Sequence, residues 1–218
     1  MNKYIILPLL TIFITSCANF DTNNIAPGYR DAFSTVKDYL FGSESNLTPE
    51  LIKNIPYASA TLQIGRGPRG LIILESIVGD EYYWISADGI IIVLDEYGKI
   101  IKTKGLINNL DILDSSVKDM NNVDYNSVYI NYFSFSPPAL NLLPVNSSYK
   151  VFELKEYKLL TESKNLKKVE ENLFSNEIGW KRKNEYYIDS QGFIWKSKQH
   201  ISPKLPAFEI EITKKPAK

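Results

Sequence analysis

The chain has 218 residues, with 25 basic and 25 acidic side chains, one histidine and one cysteine. Balanced charge with no basic stripe gives no footing for a nucleic-acid partner. A single cysteine excludes an internal disulfide and a single histidine excludes a multi-histidine metal cluster, so stability must come from packing.

The chain opens with Lys3, an apolar stretch over 4–14 and the small residues Thr15 and Ser16, the layout of a secretory signal. The apolar stretch is shorter than the roughly 20 residues that span a bilayer. Ile14-Thr15-Ser16-Cys17 resembles the lipobox of bacterial lipoproteins. The resemblance implies cleavage between Ser16 and Cys17 and lipid attachment to the Cys17 thiol. A buried cysteine in an apolar helix is the competing reading, but Asn19, Asp21, Asn23 and Asn24 break the apolar pattern at once. Each buried methylene adds about 0.8 kcal/mol, so three acyl chains hold a protein stably where one does not. Ala18 stands where enterobacterial lipoproteins kept at the inner membrane carry Asp, so the resemblance implies the outer membrane, with the domain facing the periplasm. Loss of Lys3 with the signal leaves one net negative charge.

Residues 17–28, rich in Asn, Asp and Thr, read as a flexible tether. Over 29–41 the spacing of Phe33, Val36, Tyr39, Leu40 and Phe41 predicts an amphipathic helix stopped by Gly42. A second short helix is predicted from Thr48 as N-cap, with Pro49 in its first turn and Glu50 beside the positive dipole end, finishing before Pro56. The pattern then turns to strands, at 57–64, 71–78, 82–86, 90–94 and 99–104, separated by turns at 66–70, Gly79-Asp80, Asp88-Gly89 and Tyr97-Gly98. No helix opens after the glycines at 65–70, so they mark a hairpin and not a dinucleotide fingerprint. Residues 108–122 read as a polar connector with room for a helix, and 127–136 as a strand ended by Pro137-Pro138. Further strands are predicted at 149–159, 177–188, 193–200 and 207–213, with a hairpin turn at 189–192. Lys164, Lys167 and Lys168, offset by Glu162, Glu170 and Glu171, read as a solvated face.

These elements predict a mainly β fold: an antiparallel meander forming a curved sheet, a sandwich or an incomplete barrel. A small N-terminal helical element would cover one edge or end. The expected organisation is a signal over 1–16, a tether over 17–28 and one β-rich domain over 29–218.

No catalytic residue, cofactor or metal is expected. His200 has no recognisable nucleophile motif around it and is expected to be exposed, and no calcium-loop spacing occurs. Asp80, Glu81, Asp95, Glu96, Glu153 and Glu156 are candidates by number alone for the carboxyl pair of a glycosidase. Aromatic side chains are the more suggestive feature, because sugar rings present apolar C–H faces that pack on Trp and Tyr. Trp84, Tyr82, Trp180 and Trp195 are the candidate glycan contacts, with Tyr83, Tyr186 and Tyr187 as further rings. Alternation puts Tyr82 and Trp84 on one sheet face, and at least one aromatic set must be core.

Ile55-Pro56-Tyr57-Ala58-Ser59-Ala60, Trp84-Ile85-Ser86 and the run 97–106 beginning Tyr97-Gly98-Lys99 resemble, in order and spacing, the YjbF-type, GfcB-like lipoproteins linked to group 4 capsule and exopolysaccharide loci. Tyr187-Ile188-Asp189-Ser190-Gln191-Gly192, Ser197-Lys198-Gln199 and the terminal Lys214-Lys215-Pro216 continue the resemblance, which is broken over 121–144 and near Lys164. It implies an antiparallel β protein with a few helices and an outer-membrane lipoprotein that assists assembly or export of surface polysaccharide. It brings no catalytic residues. Its expected partners are the membrane, through the lipid, and polysaccharide or other export proteins. Two alternatives remain: a lipid or lipoprotein carrier with an apolar cavity, and a polysaccharide hydrolase.

Overall fold

The structure is a computed structural model that describes residues 47–217. The signal, Ser16, Cys17, the tether and the helix expected over 29–41 lie outside the described residues.

The short helix α1 (Pro49–Lys53) forms as its signals direct. The Thr48 side chain accepts a hydrogen bond from the Leu51 backbone N–H, Glu50 lies in the first turn and Lys53 in the last. Twelve strands follow: β1 (Ser59–Ile64), β2 (Arg69–Val78), β3 (Glu81–Ser86), β4 (Ile91–Leu94), β5 (Ile100–Lys104), β6 (Asn109–Asp114), β7 (Val128–Ser136), β8 (Leu140–Lys158), β9 (Ser163–Ser175), β10 (Trp180–Ile188), β11 (Ile194–Gln199) and β12 (Phe208–Lys214). Each strand pairs antiparallel with the next, and β1 pairs with β12 in the register Ala60↔Ile212 to Ile64↔Phe208, so the sheet is a closed barrel. The expected antiparallel meander is therefore present, but it closes on itself, which replaces the curved sheet, sandwich or incomplete barrel. Closure leaves no exposed edge along β1 and β12, whose backbone groups satisfy one another.

Two other expectations change. Residues 108–122 hold β6 as well as a 3-10 turn (Met120–Asn122), and the lysine-rich stretch after Glu162 is β9, paired along its length with β8 and β10. In β9 Leu166, Val169, Glu171, Leu173 and Ser175 are buried while the residues between them are not. Glu171 thus leaves the solvated face to which its neighbour Glu170 belongs.

The barrel is filled with side chains. Its larger apolar cluster takes Leu62, Ile72, Trp84, Ile92, Leu94, Phe133, Phe135, Trp180, Phe208 and Ile210 from most of the strands. A second cluster joins Met120, Val123, Tyr149, Val169, Tyr186, Ile188 and Ile194. Outside the barrel, Ile55 packs with Leu47 against Leu71 and Ile73 of β2. This is why β2 carries an apolar run at 71–74 instead of strict alternation: Ile72 faces the interior and its neighbours face an outer cover. Lys181, Lys183, Lys196 and Lys198 lie on the outside of β10 and β11, at ion-pairing distance from acids or exposed to water. Over these two strands, lysines outside and apolar residues inside reverse the polarity of a membrane-spanning barrel.

Candidate functional site

A polar seam crosses the interior. Glu171, on the inward side of β9 and 0% exposed, receives four donors: Lys99 Nζ at 3.0 Å, the Tyr149 and Tyr186 hydroxyls at 2.6 Å each, and Asn184 Nδ2 at 3.0 Å. Lys99 follows the β4–β5 turn and is itself buried. Burial pushes the Glu171 carboxyl up, but the Lys99 ammonium and the two tyrosine hydroxyls outweigh it and hold the group below the ordinary range. Burial alone would lower the Lys99 ammonium, and the facing Glu171 carboxylate raises it overall. Each partner therefore keeps the other charged. Gln199 Oε1 accepts from the Ile100 N–H at 3.0 Å and its Nε2 donates to Ser197, extending the seam to β11.

The turn that delivers Lys99 is built by Asp95. Its Oδ1 accepts from the backbone N–H groups of Tyr97, Gly98 and Lys99 at 2.8–3.0 Å. Gly98 has φ +102°, and a Cβ there would lie 3.2 Å from the Cβ and carbonyl oxygen of Ile194, so the tight approach of this turn to β11 requires glycine. Ile194 N–H donates to the Tyr97 carbonyl at 2.7 Å. Asp95 Oδ2 is buried without a hydrogen-bond partner, and burial pushes this carboxyl up to about 6 against the three backbone donors and Lys99.

The candidate glycan contacts separate. Trp84 is 1% exposed and Trp180 4%, both inside the larger apolar cluster, and Tyr82 packs partly buried against it. Alternation had placed Tyr82 and Trp84 on one face, and that face is the core. The burial of Trp84 and Trp180 is a correction to their candidacy, because a sugar cannot reach a ring enclosed by packing. Tyr186 belongs to the seam. Trp195 is half-buried near the surface: its Nε1–H donates to Asp189 Oδ2 at 2.9 Å, Lys164 Nζ stands 3.9 Å from the ring centre, and Phe193 meets it edge-on at 5.3 Å. Lys215 Nζ lies 4.1 Å from the Phe193 ring centre. Phe193 is buried in the larger apolar cluster and Trp195 packs partly buried against it, so the two lysines lie over rings at the edge of the core.

Of the other candidates, Asp80, Glu81 and Asp95 have structural partners. Asp80 pairs with Lys118, Glu81 with Lys102 and the Tyr83 hydroxyl, and Asp95 with its own turn, while Glu153 and Glu156 are exposed. Among the described residues no group of three or more His, Cys, Asp or Glu side chains is placed to hold a metal. His200 is half-buried instead of exposed. Burial lowers its pKa, its Nδ1 has no partner, and its backbone N–H donates to Asn184 Oδ1 at 2.7 Å. At one end of the barrel the β1–β2 and β3–β4 hairpins frame a groove of about 450 Å³, lined by Leu47, Leu62, Ile64, Leu71, Ile72 and Ile90 with Arg69 and Asp88 at its rim.

Sequence reading missed the seam. Lys99 was legible only as a residue after a turn, and Glu171 only as one of several acids in a charged run. The signal that could have found Glu171 is the alternation of Val169, Glu171 and Leu173, which puts it on an apolar face.

Comparison with known proteins bears on both fold and setting. The family model described as group 4 capsule polysaccharide lipoprotein gfcB, YjbF matches residues 30–213. The chain is 27% identical over 171 residues to the uncharacterized lipoprotein YjbF of Escherichia coli (strain K12), covering 75% of this chain and 79% of that one. Among solved structures it resembles the hypothetical lipoprotein YmcC of Escherichia coli (K12), with a TM-score of 0.72 and 19% identity, over 85% of this chain and 96% of that one. At that identity the second likeness speaks for the fold alone.

Proposed function

Because the chain belongs to the YjbF family of group 4 capsule polysaccharide lipoproteins, we propose that it is a non-enzymatic lipoprotein that assists assembly or export of capsular or extracellular polysaccharide. In this reading it is lipid-anchored through Cys17 to the outer membrane, with the barrel in the periplasm. The observation that carries the reading is the family match over 30–213, which takes in all of the barrel but its last residue, Lys214, and begins only after the tether. The wall of β10 and β11 supports it: lysines on the outside of these two strands are unlike the apolar band of a membrane-spanning barrel, which leaves anchoring to the acylated cysteine. Trp195, with Lys164 and Lys215, is the surface where polymer would touch.

The test compares polysaccharide at the cell surface and within the envelope of a deletion strain, complemented with the unaltered protein or with Cys17→Ala. Surface polymer that falls on deletion and returns only with the unaltered protein is the expected result. Unchanged polymer in a strain known to make it would overturn the reading.

The groove of about 450 Å³ favours one second reading, carriage of a lipid or an acylated protein, because its size and apolar lining are those of a small-ligand site. In that case the purified chain would retain lipid extractable by organic solvent, and polymer level would be secondary.

A further inference from the structure

Lysines on the outside of β11 face acids on the next strand, and the start of β10 departs from that pattern. Register sets Lys196 opposite Glu211 and Lys198 opposite Glu209, each pair at ion-pairing distance. On β10 the same register sets Lys181 opposite Phe174 and Lys183 opposite Asn172 of β9. Lys181, Arg182 and Lys183 are all exposed, and Arg182 Nη1 donates to the Lys181 carbonyl at 2.8 Å. Lys183 meets Glu170 at 3.1 Å, and Glu177 on the intervening turn accepts from the Ser175 hydroxyl at 2.8 Å, so three cations stand over two acids. Alternation carries the wall onward: Phe174 pairs with Asn146 and Asn172 with Ser148 on β8, and these pair with Ile130 and Val128 on β7. All six point outward, because Leu173, Val145, Ser147 and Asn131 between them are buried inside. Over three strand spacings, about 14 Å, the wall passes from cations through an aromatic ring and amides to exposed aliphatic side chains. A groove of about 640 Å³ lies over its cationic half, with Asn172, Phe174, Asn176, Lys181, Arg182 and Lys183 in its lining.

We propose that this groove binds an acidic polysaccharide, with carboxylate or phosphate groups of the polymer on Lys181, Arg182 and Lys183, ring hydroxyls on Asn172 and Asn176, and a sugar C–H face on Phe174. The class of ligand rests on the polysaccharide reading above, whereas the site rests on the register and the groove. An arginine fork holds a carboxylate or phosphate through two parallel N–H bonds, and the lysines add charge without fixing direction. A primary amide is both donor and acceptor, as a sugar hydroxyl is. An aromatic ring set between cation and amide offers the apolar contact that neither can make with a C–H face. The groove is concave, which admits a chain and excludes the flat face of a bilayer. Trp195 lies near the other end of β10, a strand of 9 residues, about 25 Å away, so a polymer touching both is held at two points.

The test titrates the full-length protein, purified in detergent, with fluorescently labelled polygalacturonate and with dextran as the neutral counterpart. Polygalacturonate should bind about tenfold tighter than dextran or better, and should weaken by about tenfold between about 0.05 M and about 0.3 M salt. Lys181→Gln combined with Arg182→Gln should weaken it by about tenfold or more at an unchanged thermal midpoint. Lys102→Gln combined with Lys118→Gln removes the same charge from lysines paired with Glu81, Asp111 and Asp80, and should change binding by less than about twofold. Equal losses from the two double variants would reduce the effect to net charge and overturn the proposal, as would equal affinity for the two polymers. Displacement of polygalacturonate by micelles containing phosphatidylglycerol would also overturn it, by making the groove a lipid headgroup contact. The deletion strain answers a separate question. Failure of polygalacturonate to bind removes this site even where surface polymer falls on deletion, and binding at the groove with polymer unchanged on deletion overturns the export reading while supporting the site.

Discussion

Replacing Lys99 by Met should destabilise the barrel by about 3–5 kcal/mol at pH 7, because a fully buried carboxylate loses the cation that faces it. The Met side chain matches the lysine stem in length, so packing around it is kept and the change isolates the charge. Glu171 would still receive Tyr149, Tyr186 and Asn184 at 2.6–3.0 Å, which stabilises the anion but adds no opposite charge. The pH dependence then reverses. In the unaltered chain the Glu171 carboxyl lies below its ordinary value of 4.5, so its contribution is present above that value and lost on acidification through the folded one. Without Lys99, burial dominates and raises the group above 4.5, so the variant should gain stability relative to the unaltered chain as pH falls from 7 to 5. Combining Lys99→Met with Glu171→Gln removes both charges and should recover about 2–3 kcal/mol of the loss, a coupling that additive sites would not show. Urea unfolding followed by tryptophan fluorescence at pH 7 and 5 measures each quantity. A loss under about 1 kcal/mol for Lys99→Met, with no steeper gain in stability between pH 7 and 5 than the unaltered chain shows, would refute the account of the seam as one electrostatic unit.

Asp95 should act in the opposite direction. Its folded carboxyl is raised from 3.8 to about 6 by burial, so its contribution is full below 3.8 and is lost as pH rises through about 6, an effect of up to about 3 kcal/mol. Asp95→Asn keeps an acceptor for the three turn N–H groups and should flatten the stability difference between pH 4 and pH 8 by that amount; an unaltered slope in urea unfolding would disprove it. Trp84→Ala should cost about 3–5 kcal/mol as a cavity in the larger cluster. Trp195→Ala should cost about 1–2 kcal/mol, and capsular polymer retained by the unaltered chain in a pull-down should be lost at a nearly unchanged thermal midpoint. Equal destabilisation by the two alanine changes would contradict the burial difference between these rings.

Much of the strand order was legible because turns and alternation are local signals. The glycines at Gly79, Gly89, Gly98 and Gly192 have positive φ and sit at or beside the tight turns read from the sequence. Closure was not legible. Whether a meander ends as an open sheet or a barrel depends on the summed twist and shear of all twelve strands, to which no single residue testifies. The β9 error has a different origin. Lys164, Lys167, Lys168, Glu170 and Glu171 read as solvated because charge dominates the composition, yet Leu166, Val169 and Leu173 carry the period of a strand through the same stretch. A buried ion pair hides well in sequence: Lys99 and Glu171 are 72 positions apart, and each looks like its exposed neighbours.

The segments that carry the family resemblance meet in pairs across the barrel. Ser59 of the early run pairs with Lys214 of the last, Ser59 Oγ is hydrogen-bonded to Thr213 Oγ1 at 2.9 Å, and Lys214 Nζ donates to the carbonyls of Ile55 and Pro56 at 3.3 and 3.1 Å. These residues form the seam that closes β1 on β12. Tyr97-Gly98 meets Ile194 just after the Asp189–Gly192 turn, and Ile100, next to Lys99, is bonded to Gln199 of the Ser197-Lys198-Gln199 run. The late motifs therefore tie the β4–β5 turn to β11 and hold Lys99 facing Glu171. These contacts hold the barrel closed, and none of the residues that make them supplies a converging pair of free carboxylates or an activated nucleophile.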